Sequence, residues 1–154
     1  IPTSPFAPLS PAPKGKEITG TPGADMLVGT AYGDVINCGA GNDVVDGGGG
    51  DDVINCGTGK DRVNGGAGKD RVSGGAGKDR LSGGAGDDSV KGDAGNDALA
   101  GGPGKDKLMG GAGDDTLRGN AGKDRLFGGS GRDLLFRGTG DILAGGAGRD
   151  RMVG

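Results

Sequence analysis

Small aliphatic side chains recur along most of this chain at intervals of nine residues. From Gly20 onward the sequence divides into fifteen units, and the eighth position of each unit is aliphatic. In a strand, the residues on either side of this position would face outward. Each unit therefore predicts a three-residue strand with one side chain facing a core. Fixed repetition of such strands predicts a solenoid. The aliphatic residues are Leu27, Ile36, Val45, Ile54, Val63, Val72, Leu81, Val90, Leu99, Leu108, Leu117, Leu126, Leu135, Leu143 and Met152.

Glycine fills much of the remainder of each unit, and the chain has 41 glycines among 154 residues. Glycine at the first, second and fourth positions permits positive φ and close backbone approach, so the first six residues predict a tight turn. Two units would then form one coil of eighteen residues, with neighbouring strands about 4.8 Å apart. Residues 20–154 therefore predict about 7.5 coils. The unit that begins at Arg137 is one residue short.

The sixth position is aspartate in every unit, and one coil of eighteen residues would stack these aspartates in two columns. Like charges about 4.8 Å apart repel strongly unless a cation lies between them. Hard carboxylate and carbonyl oxygens, without thiolate or imidazole, suit calcium better than zinc or copper. The alternative is that each aspartate only closes its own turn by hydrogen bonds. The predicted ligands are Asp25, Asp34, Asp43, Asp52, Asp61, Asp70, Asp79, Asp88, Asp97, Asp106, Asp115, Asp124, Asp133, Asp141 and Asp150, with turn carbonyls such as those of Gly47, Gly65, Gly74, Gly83, Gly101 and Gly110.

Composition excludes several other functions. Histidine is absent, which removes an HExxH protease site and most imidazole-based hydrolase chemistry, and no nucleophile is paired with a base. We therefore expect no enzyme activity. The 18 basic and 21 acidic residues give a formal net charge of −3, which does not indicate a nucleic acid partner. No apolar run approaches the roughly 18 residues that a membrane span requires. One small aliphatic residue per unit cannot offset the entropy of ordering so much glycine, so calcium binding is expected to drive folding.

Units such as GGAGKDRVS, GGAGDDTLR and CGAGNDVVD resemble the nonapeptide of the RTX (repeats-in-toxin) proteins. The resemblance covers residues 20–154. It implies an all-β fold, a right-handed parallel β-roll, in which several structural Ca²⁺ ions are held by the aspartates and turn carbonyls. It also implies export to a calcium-rich exterior. Four departures weaken the calcium prediction at their turns: Tyr32 at position four, Asp93 and Asn120 at position two, and the shortened Arg137 unit.

The two cysteines occupy equivalent positions in the repeat. Cys38 and Cys56 are eighteen residues apart, so they should lie one coil apart, close enough for a disulfide. A bridge is typical of an oxidising compartment and fits a secreted, extracellular protein. The alternative is a pair of free thiols placed there by duplication of the repeat.

Residues 1–19 differ from the repeats, because five of the seven prolines lie in the first thirteen residues. This composition predicts an extended, polyproline-like arm. The arm is either a linker from a preceding domain or a docking segment that uses Phe6 and Leu9 as apolar anchors.

Two functions compete at this stage. In the first, the chain is a secreted structural protein whose calcium-loaded rolls stack head to tail, through uncapped ends, into a fibre or surface layer. In the second, it is the calcium-dependent folding and secretion module of a larger secreted enzyme, toxin or adhesin. Outward basic residues such as Arg62, Arg71, Arg80 and Lys107 indicate anionic polysaccharide as a second possible partner. Ice binding is disfavoured, because no regular outward row of threonine or asparagine exists.

Overall fold

In the computed structural model, which describes residues 14–154, the chain forms seventeen strands and no helix. The described region thus contains no helix that could cross a membrane. The strands are β1 (Glu17–Thr19), β2 (Met26–Val28), β3 (Val35–Asn37), β4 (Val44–Asp46), β5 (Val53–Asn55), β6 (Thr58–Gly59), β7 (Arg62–Ala67), β8 (Arg71–Gly77), β9 (Arg80–Ala85), β10 (Ser89–Ala94), β11 (Ala98–Gly104), β12 (Lys107–Ala112), β13 (Thr116–Gly122), β14 (Arg125–Gly131), β15 (Leu134–Phe136), β16 (Ile142–Gly148) and β17 (Arg151–Val153).

The strands form two parallel sheets that the chain visits alternately. One sheet, sheet A, has the order β1-β3-β5-β8-β10-β12-β14-β16, with β6 also paired to β8; the other, sheet B, has the order β2-β4-β7-β9-β11-β13-β15-β17. Residues eighteen apart pair directly, as Ile36 does with Ile54 and Leu81 with Val63. Two repeats therefore make one turn of a β-solenoid with about eight turns. This confirms the predicted parallel β-roll.

The middle strands are longer than the sequence predicts. Strands such as β7 and β9 run for six residues, so the ladder continues past the expected three residues into the glycines of the next repeat. Gly66 pairs with Gly84, and Ala67 with Ala85. The reason is close approach: a Cβ on Gly66 would lie 2.2 Å from the carbonyl oxygen of Gly48, so glycine at this position lets consecutive coils stack closely. In these repeats the turn therefore consists only of the few residues between the end of the longer strand and the next aspartate.

The core is a double row of side chains along the axis of the roll. Twelve of the fifteen aliphatic residues at the eighth position are buried, together with both cysteines: Ile36, Cys38, Val45, Ile54, Cys56, Val63, Val72, Leu81, Val90, Leu99, Leu108, Leu117, Leu126 and Leu135. Ile18, Leu27 and Leu143 are only partly buried against it, and Met152 is 56% exposed. The inward row is therefore open towards both ends of the described residues.

The roll begins earlier than the predicted boundary at Gly20. Strand β1 pairs with β3 and places Ile18 beside Ile36, in the inward row. Residues 17–19 thus belong to the sheet and not to an arm, because Ile18 supplies the inward aliphatic side chain even though Lys16 stands where a repeat has aspartate. Residues 1–13, with the predicted anchors Phe6 and Leu9, lie outside the described residues.

Three of the irregular repeats keep the geometry of their neighbours. Asp93 and Asn120 adopt positive φ, 78° and 74°, as the glycine they replace would, which their short polar side chains tolerate better than most. In the short Arg137 unit, strand β16 pairs with β14 at an offset of seventeen residues, which sets Leu143 beside Leu126. The missing residue is therefore lost from the turn, and the inward row is maintained.

A disulfide joins Cys38 and Cys56, as predicted, with their Cα atoms 4.5 Å apart. Both side chains are fully buried inside the roll. The first position of the repeat therefore also faces inward, and a bridge between adjacent coils closes a loop of eighteen residues.

We predict that the double substitution Cys38→Ser/Cys56→Ser lowers the free energy of unfolding of the folded roll by about 3 kcal/mol, since the bridge removes chain entropy from the unfolded state. Urea denaturation at fixed calcium concentration measures the loss. Reducing agent should destabilise the wild-type chain equally and leave the double variant unchanged. Equal stability of oxidised and reduced wild-type chains would contradict the prediction.

Candidate metal sites

The repeat aspartates face the interior of the roll. Thirteen of the fifteen are buried: Asp34, Asp43, Asp52, Asp61, Asp70, Asp79, Asp88, Asp97, Asp106, Asp115, Asp124, Asp133 and Asp141. The other two, Asp25 and Asp150, lie in the end coils and are partly exposed. Because each aspartate immediately precedes a strand, the alternation of the strands places successive aspartates on opposite sides of the roll. Two columns result, as the sequence predicts.

One oxygen of each carboxylate binds the backbone of the preceding coil. The Oδ1 atom of Asp70 accepts a hydrogen bond of 2.8 Å from the backbone N–H of Asp52, and Asp88 accepts one of 2.8 Å from Asp70. The same bond recurs up both columns, from Asp43, which accepts from Asp25, to Asp150, which accepts from Asp133. The carboxylates thus form two continuous ladders along the roll.

The second oxygen has no such partner. In eleven aspartates the Oδ2 atom is buried and forms no hydrogen bond: Asp43, Asp52, Asp61, Asp70, Asp79, Asp88, Asp97, Asp106, Asp115, Asp124 and Asp133. A buried, unpaired carboxylate oxygen is costly, and a column of them adds mutual repulsion. Each such oxygen therefore requires either a proton or a cation.

Backbone carbonyls converge on the same space. A Cβ placed on Gly47 would lie 2.5 Å from Asp52 Oδ2 and 2.2 Å from the carbonyl oxygen of Gly65. The arrangement repeats at Gly65, where the neighbours are Asp70 Oδ2 at 2.6 Å and the Gly83 carbonyl at 2.3 Å. Of the carbonyls predicted as ligands, those of Gly47, Gly65, Gly83 and Gly110 lie in such positions.

Comparison with known families decides the assignment. The sequence matches the family model described as the RTX calcium-binding nonapeptide repeat (four copies) over residues 19–54, 57–81, 73–108, 100–135 and 137–154. This chain belongs to the RTX family. A comparison with curated proteins finds no further match.

The donor set of this RTX roll fits calcium. Each interior turn offers a bare carboxylate oxygen and nearby backbone carbonyls, which are the hard oxygen ligands that Ca²⁺ takes in irregular geometry. Residues 14–154 contain no group of three or more acidic, histidine or cysteine side chains that converge on one point. Carboxylates are spread one per repeat, so backbone oxygens would have to complete any coordination sphere. The protein is thus an RTX calcium-binding repeat protein, and its fold is structural rather than catalytic.

Three aspartates differ from the other members of the columns. Two of them, Asp34 and Asp141, lie in irregular units where the sequence already weakens the calcium prediction, whereas Asp25 lies in a unit that it did not single out. The Oδ2 atom of Asp34 accepts hydrogen bonds from the backbone N–H of Thr30 at 2.5 Å and from its hydroxyl at 3.0 Å. Asp25 is bound by Thr21 in the same way. Asp141 accepts a bond of 2.6 Å from the N–H of Gly138, in the short unit. These carboxylates have the partners that the eleven interior ones lack.

The signal for this difference was present in the sequence. Thr21 and Thr30 stand four residues before their aspartates, at a position where most repeats have glycine. In the interior repeats that glycine has positive φ, as at Gly48 and Gly66, and its N–H makes no bond to the carboxylate. Threonine disfavours positive φ, so its N–H and hydroxyl turn towards the aspartate.

Burial raises the pKa of ten of the eleven interior carboxyls, and repulsion from nearby aspartates adds to the rise. The pKa of Asp115 reaches about 7, and that of Asp70 and Asp106 about 6. A hydrogen bond from the preceding aspartate's N–H offsets part of this effect. Burial also acts on Asp34, but the bonds from Lys16 and Thr30 outweigh it and lower the pKa. Asp34 therefore differs from Asp70, Asp106 and Asp115 in its pKa as well as in its hydrogen bonds.

We predict that Asp70→Asn reduces the number of calcium ions bound per chain, whereas Asp34→Asn leaves it unchanged. Asp70→Asn removes the charge from a carboxylate with an oxygen that has no hydrogen-bond partner. Asp34→Asn removes it from a carboxylate whose corresponding oxygen already accepts a hydrogen bond from Thr30. Equilibrium dialysis with ⁴⁵Ca²⁺ at saturation gives both stoichiometries. An equal loss in the two variants would show that Asp34 is a ligand as well.

We also predict that acid stabilises the calcium-free roll. In the folded state the pKa of Asp70 and Asp106 is about 6 and that of Asp115 about 7, above the ordinary value of 3.8, so the folded state binds more protons than the unfolded chain. Their contribution is complete below pH about 4 and is lost as the pH rises through 6 to 7. Without calcium, circular dichroism should show more β-structure at pH 3.5 than at pH 7.5. In a calcium titration, the midpoint of calcium-induced folding should lie at a higher calcium concentration at pH 5.5 than at pH 7.5. The triple variant Asp70→Asn/Asp106→Asn/Asp115→Asn should respond less to pH; a wild-type signal independent of pH would contradict the account.

Proposed function

We propose that this chain is a calcium-folded structural rod of an extracellular protein. The observation that supports it is the set of eleven buried Oδ2 atoms without a hydrogen-bond partner. At neutral pH without calcium, these oxygens destabilise the roll. When ions neutralise them, the free energy of binding becomes free energy of folding.

Two considerations support an extracellular location. Extracellular calcium modules bind with dissociation constants of about 10⁻⁴ to 10⁻³ M, which suits the calcium concentration outside cells. The disulfide between Cys38 and Cys56 is typical of oxidising compartments and rare in the cytosol. A chain that stays unfolded at low calcium and folds on export satisfies both conditions. In this role the protein acts through its shape and not as an enzyme.

Head-to-tail stacking of rolls is a second proposal for the same structure. Strands β1 and β2 at one end, and β16 and β17 at the other, each have a strand neighbour on one side only. Among residues 14–154 the inward row is also incompletely covered at both ends, at Ile18 and Leu27 in the first coil and at Met152 in the last. Contact between opposite ends would cover these side chains and continue both parallel ladders into a fibre or surface layer.

The competing proposal is that the roll is the calcium-dependent folding and secretion module of a larger secreted RTX enzyme, toxin or adhesin. In that case the open ends would be covered by other parts of the same protein, and isolated rolls would stay monomeric. Both proposals require the same calcium-coupled folding and differ only in the state of association.

A calcium titration followed by circular dichroism and light scattering tests the folding and the association together. We expect a cooperative gain of β signal near 10⁻⁴ to 10⁻³ M calcium, reversed by chelator, and no gain with magnesium at the same concentration. Absence of β signal, or its persistence at neutral pH after chelation, would contradict calcium-coupled folding. Filaments in electron microscopy would support stacking, and folded monomers the module.

A pair of variants tests whether scattering arises from the open ends. Met152→Asp places a charge in the inward row and should abolish association while the roll still folds with calcium. Val153→Asp, the matched control, adds the same charge at the adjacent outward position and should leave association unchanged. If both variants associate as the wild-type chain does, the contact lies elsewhere on the surface.

A further inference from the structure

The formal net charge of −3 conceals a strong separation of charge between the interior and the surface. Of the 21 acidic residues, fifteen are the repeat aspartates of the inward columns, which leaves six elsewhere. All eighteen lysines and arginines lie in the described part of the chain, and every one is exposed. With the inward carboxylates neutralised, the roll therefore presents eighteen cations against Glu17, Asp46, Asp51, Asp87, Asp93 and Asp114.

The cations are concentrated where consecutive coils repeat them. On sheet B, Arg62 and Arg80 are direct neighbours in the ladder, and Lys60 and Lys78 precede them by two residues. We call these four residues the sheet B tetrad. Like charges directly opposite in adjacent strands destabilise a sheet, so their pairing has an energetic cost that nothing within the roll offsets.

No carboxylate pairs with the tetrad. Within residues 14–154, the one ion pair is between Lys91 and Asp93, on sheet A. Two other cations have aromatic partners, Arg118 over Phe136 and Lys107 over Phe127, but no ring lies over the tetrad. These four charges are therefore free to bind an external anion.

The surface beside the tetrad has the chemistry of a sugar site. Arg62 and Arg80 also line a shallow groove of about 500 Å³ on the outer face of sheet B. Asn64 and Ser82 offer amide and hydroxyl groups there, and Val44, Ala98 and Ala100 add small apolar patches. One carboxylate, that of Asp46, also lines the groove and accepts a hydrogen bond of 3.2 Å from the Asn64 amide. The groove contains no aromatic residue on which a nucleobase could stack. Hydrogen-bonding groups beside cations suit a polymer with hydroxyls and acid groups.

We propose that the sheet B tetrad, with Asn64 and Ser82, binds an acidic polysaccharide, and that calcium-driven folding creates this surface. The unfolded chain mixes its cations with 21 carboxylates and has net negative charge, so it does not attract a polyanion. Folding withdraws fifteen of those carboxylates into the columns and aligns the cations on the outside. Calcium thereby couples the folding of the rod to its attachment to an acidic glycan.

This inference rests on the calcium-coupled folding proposed above. Titration calorimetry measures binding to dextran sulfate and to carboxymethyl dextran, with unmodified dextran as the neutral control, and circular dichroism of the same samples reports folding. We expect binding to both charged polymers in calcium, none to neutral dextran and none in chelator. If calcium produces no β signal, the proposed calcium-coupled folding is wrong, and the polysaccharide site that depends on it is wrong as well. If the roll folds but binds neither charged polymer, only the present inference is overturned.

Two quadruple variants with equal loss of charge locate the site. Lys60→Gln/Arg62→Gln/Lys78→Gln/Arg80→Gln should weaken binding about tenfold or more, since four exposed contacts are lost together. The control removes four cations from separate coils, by Lys14→Gln/Lys69→Gln/Arg118→Gln/Arg149→Gln, and should change affinity about twofold or less. Equal losses would show attraction by total charge alone and would overturn the tetrad as a site.

A third variant separates a sugar from a nucleic acid partner. Asn64→Ala/Ser82→Ala removes hydrogen-bonding groups but no charge, so it should weaken binding of the charged dextrans and leave binding of a 20-base-pair DNA duplex unchanged. Tighter binding of the duplex than of either charged dextran, at the same ionic strength, would overturn the assignment to a polysaccharide.

Discussion

The buried, unpaired carboxylate oxygen is the constraint on which the structure of this RTX roll depends. It explains why glycine occupies the first position of most repeats: a Cβ on Gly101 would lie 2.2 Å from Asp106 Oδ2. A side chain there would fill the space that the carboxylate and the next coil's carbonyl share. The high glycine content is therefore a property of the metal site as much as of the turn, since both require the backbone to come close to charged oxygen.

The same constraint separates the charges of the molecule. Aspartates can be buried in columns only if protons or cations of the solvent, and not lysine or arginine, neutralise them, because one small aliphatic side chain per repeat leaves no room for a long basic residue in the core. The eighteen basic residues are consequently all on the outside. A chain with nearly equal numbers of acidic and basic residues thus folds into a roll with an acidic interior and a basic surface. The net charge of the whole sequence describes neither the interior nor the surface.

Much of this fold could be predicted from sequence, because the nine-residue period sets the register directly. The inward row, the two aspartate columns and the bridge between Cys38 and Cys56 all follow from placing residues eighteen apart in contact. The length of the middle strands could not be predicted, since glycine is read as a turn residue and its pairing across coils is visible only in the structure. Strand β1 was missed for a related reason: it has Ile18 in the inward row but neither the aspartate nor the glycines of a repeat.

The irregular units show which part of the repeat the fold enforces. The Arg137 unit is one residue short, yet Leu143 still lies beside Leu126 and Asp141 still bonds the N–H of Asp124. The turn therefore accommodates the missing residue and the ladder keeps its register, because a slip of one residue would turn every inward side chain outward. The turns with altered sequence at the two ends are also those in which Thr21, Thr30 and Gly138 supply hydrogen bonds to the aspartate. Within residues 14–154, the buried carboxylate oxygens without a hydrogen-bond partner thus lie in the eleven interior turns, and towards the ends of the roll groups of the protein itself bind the aspartates.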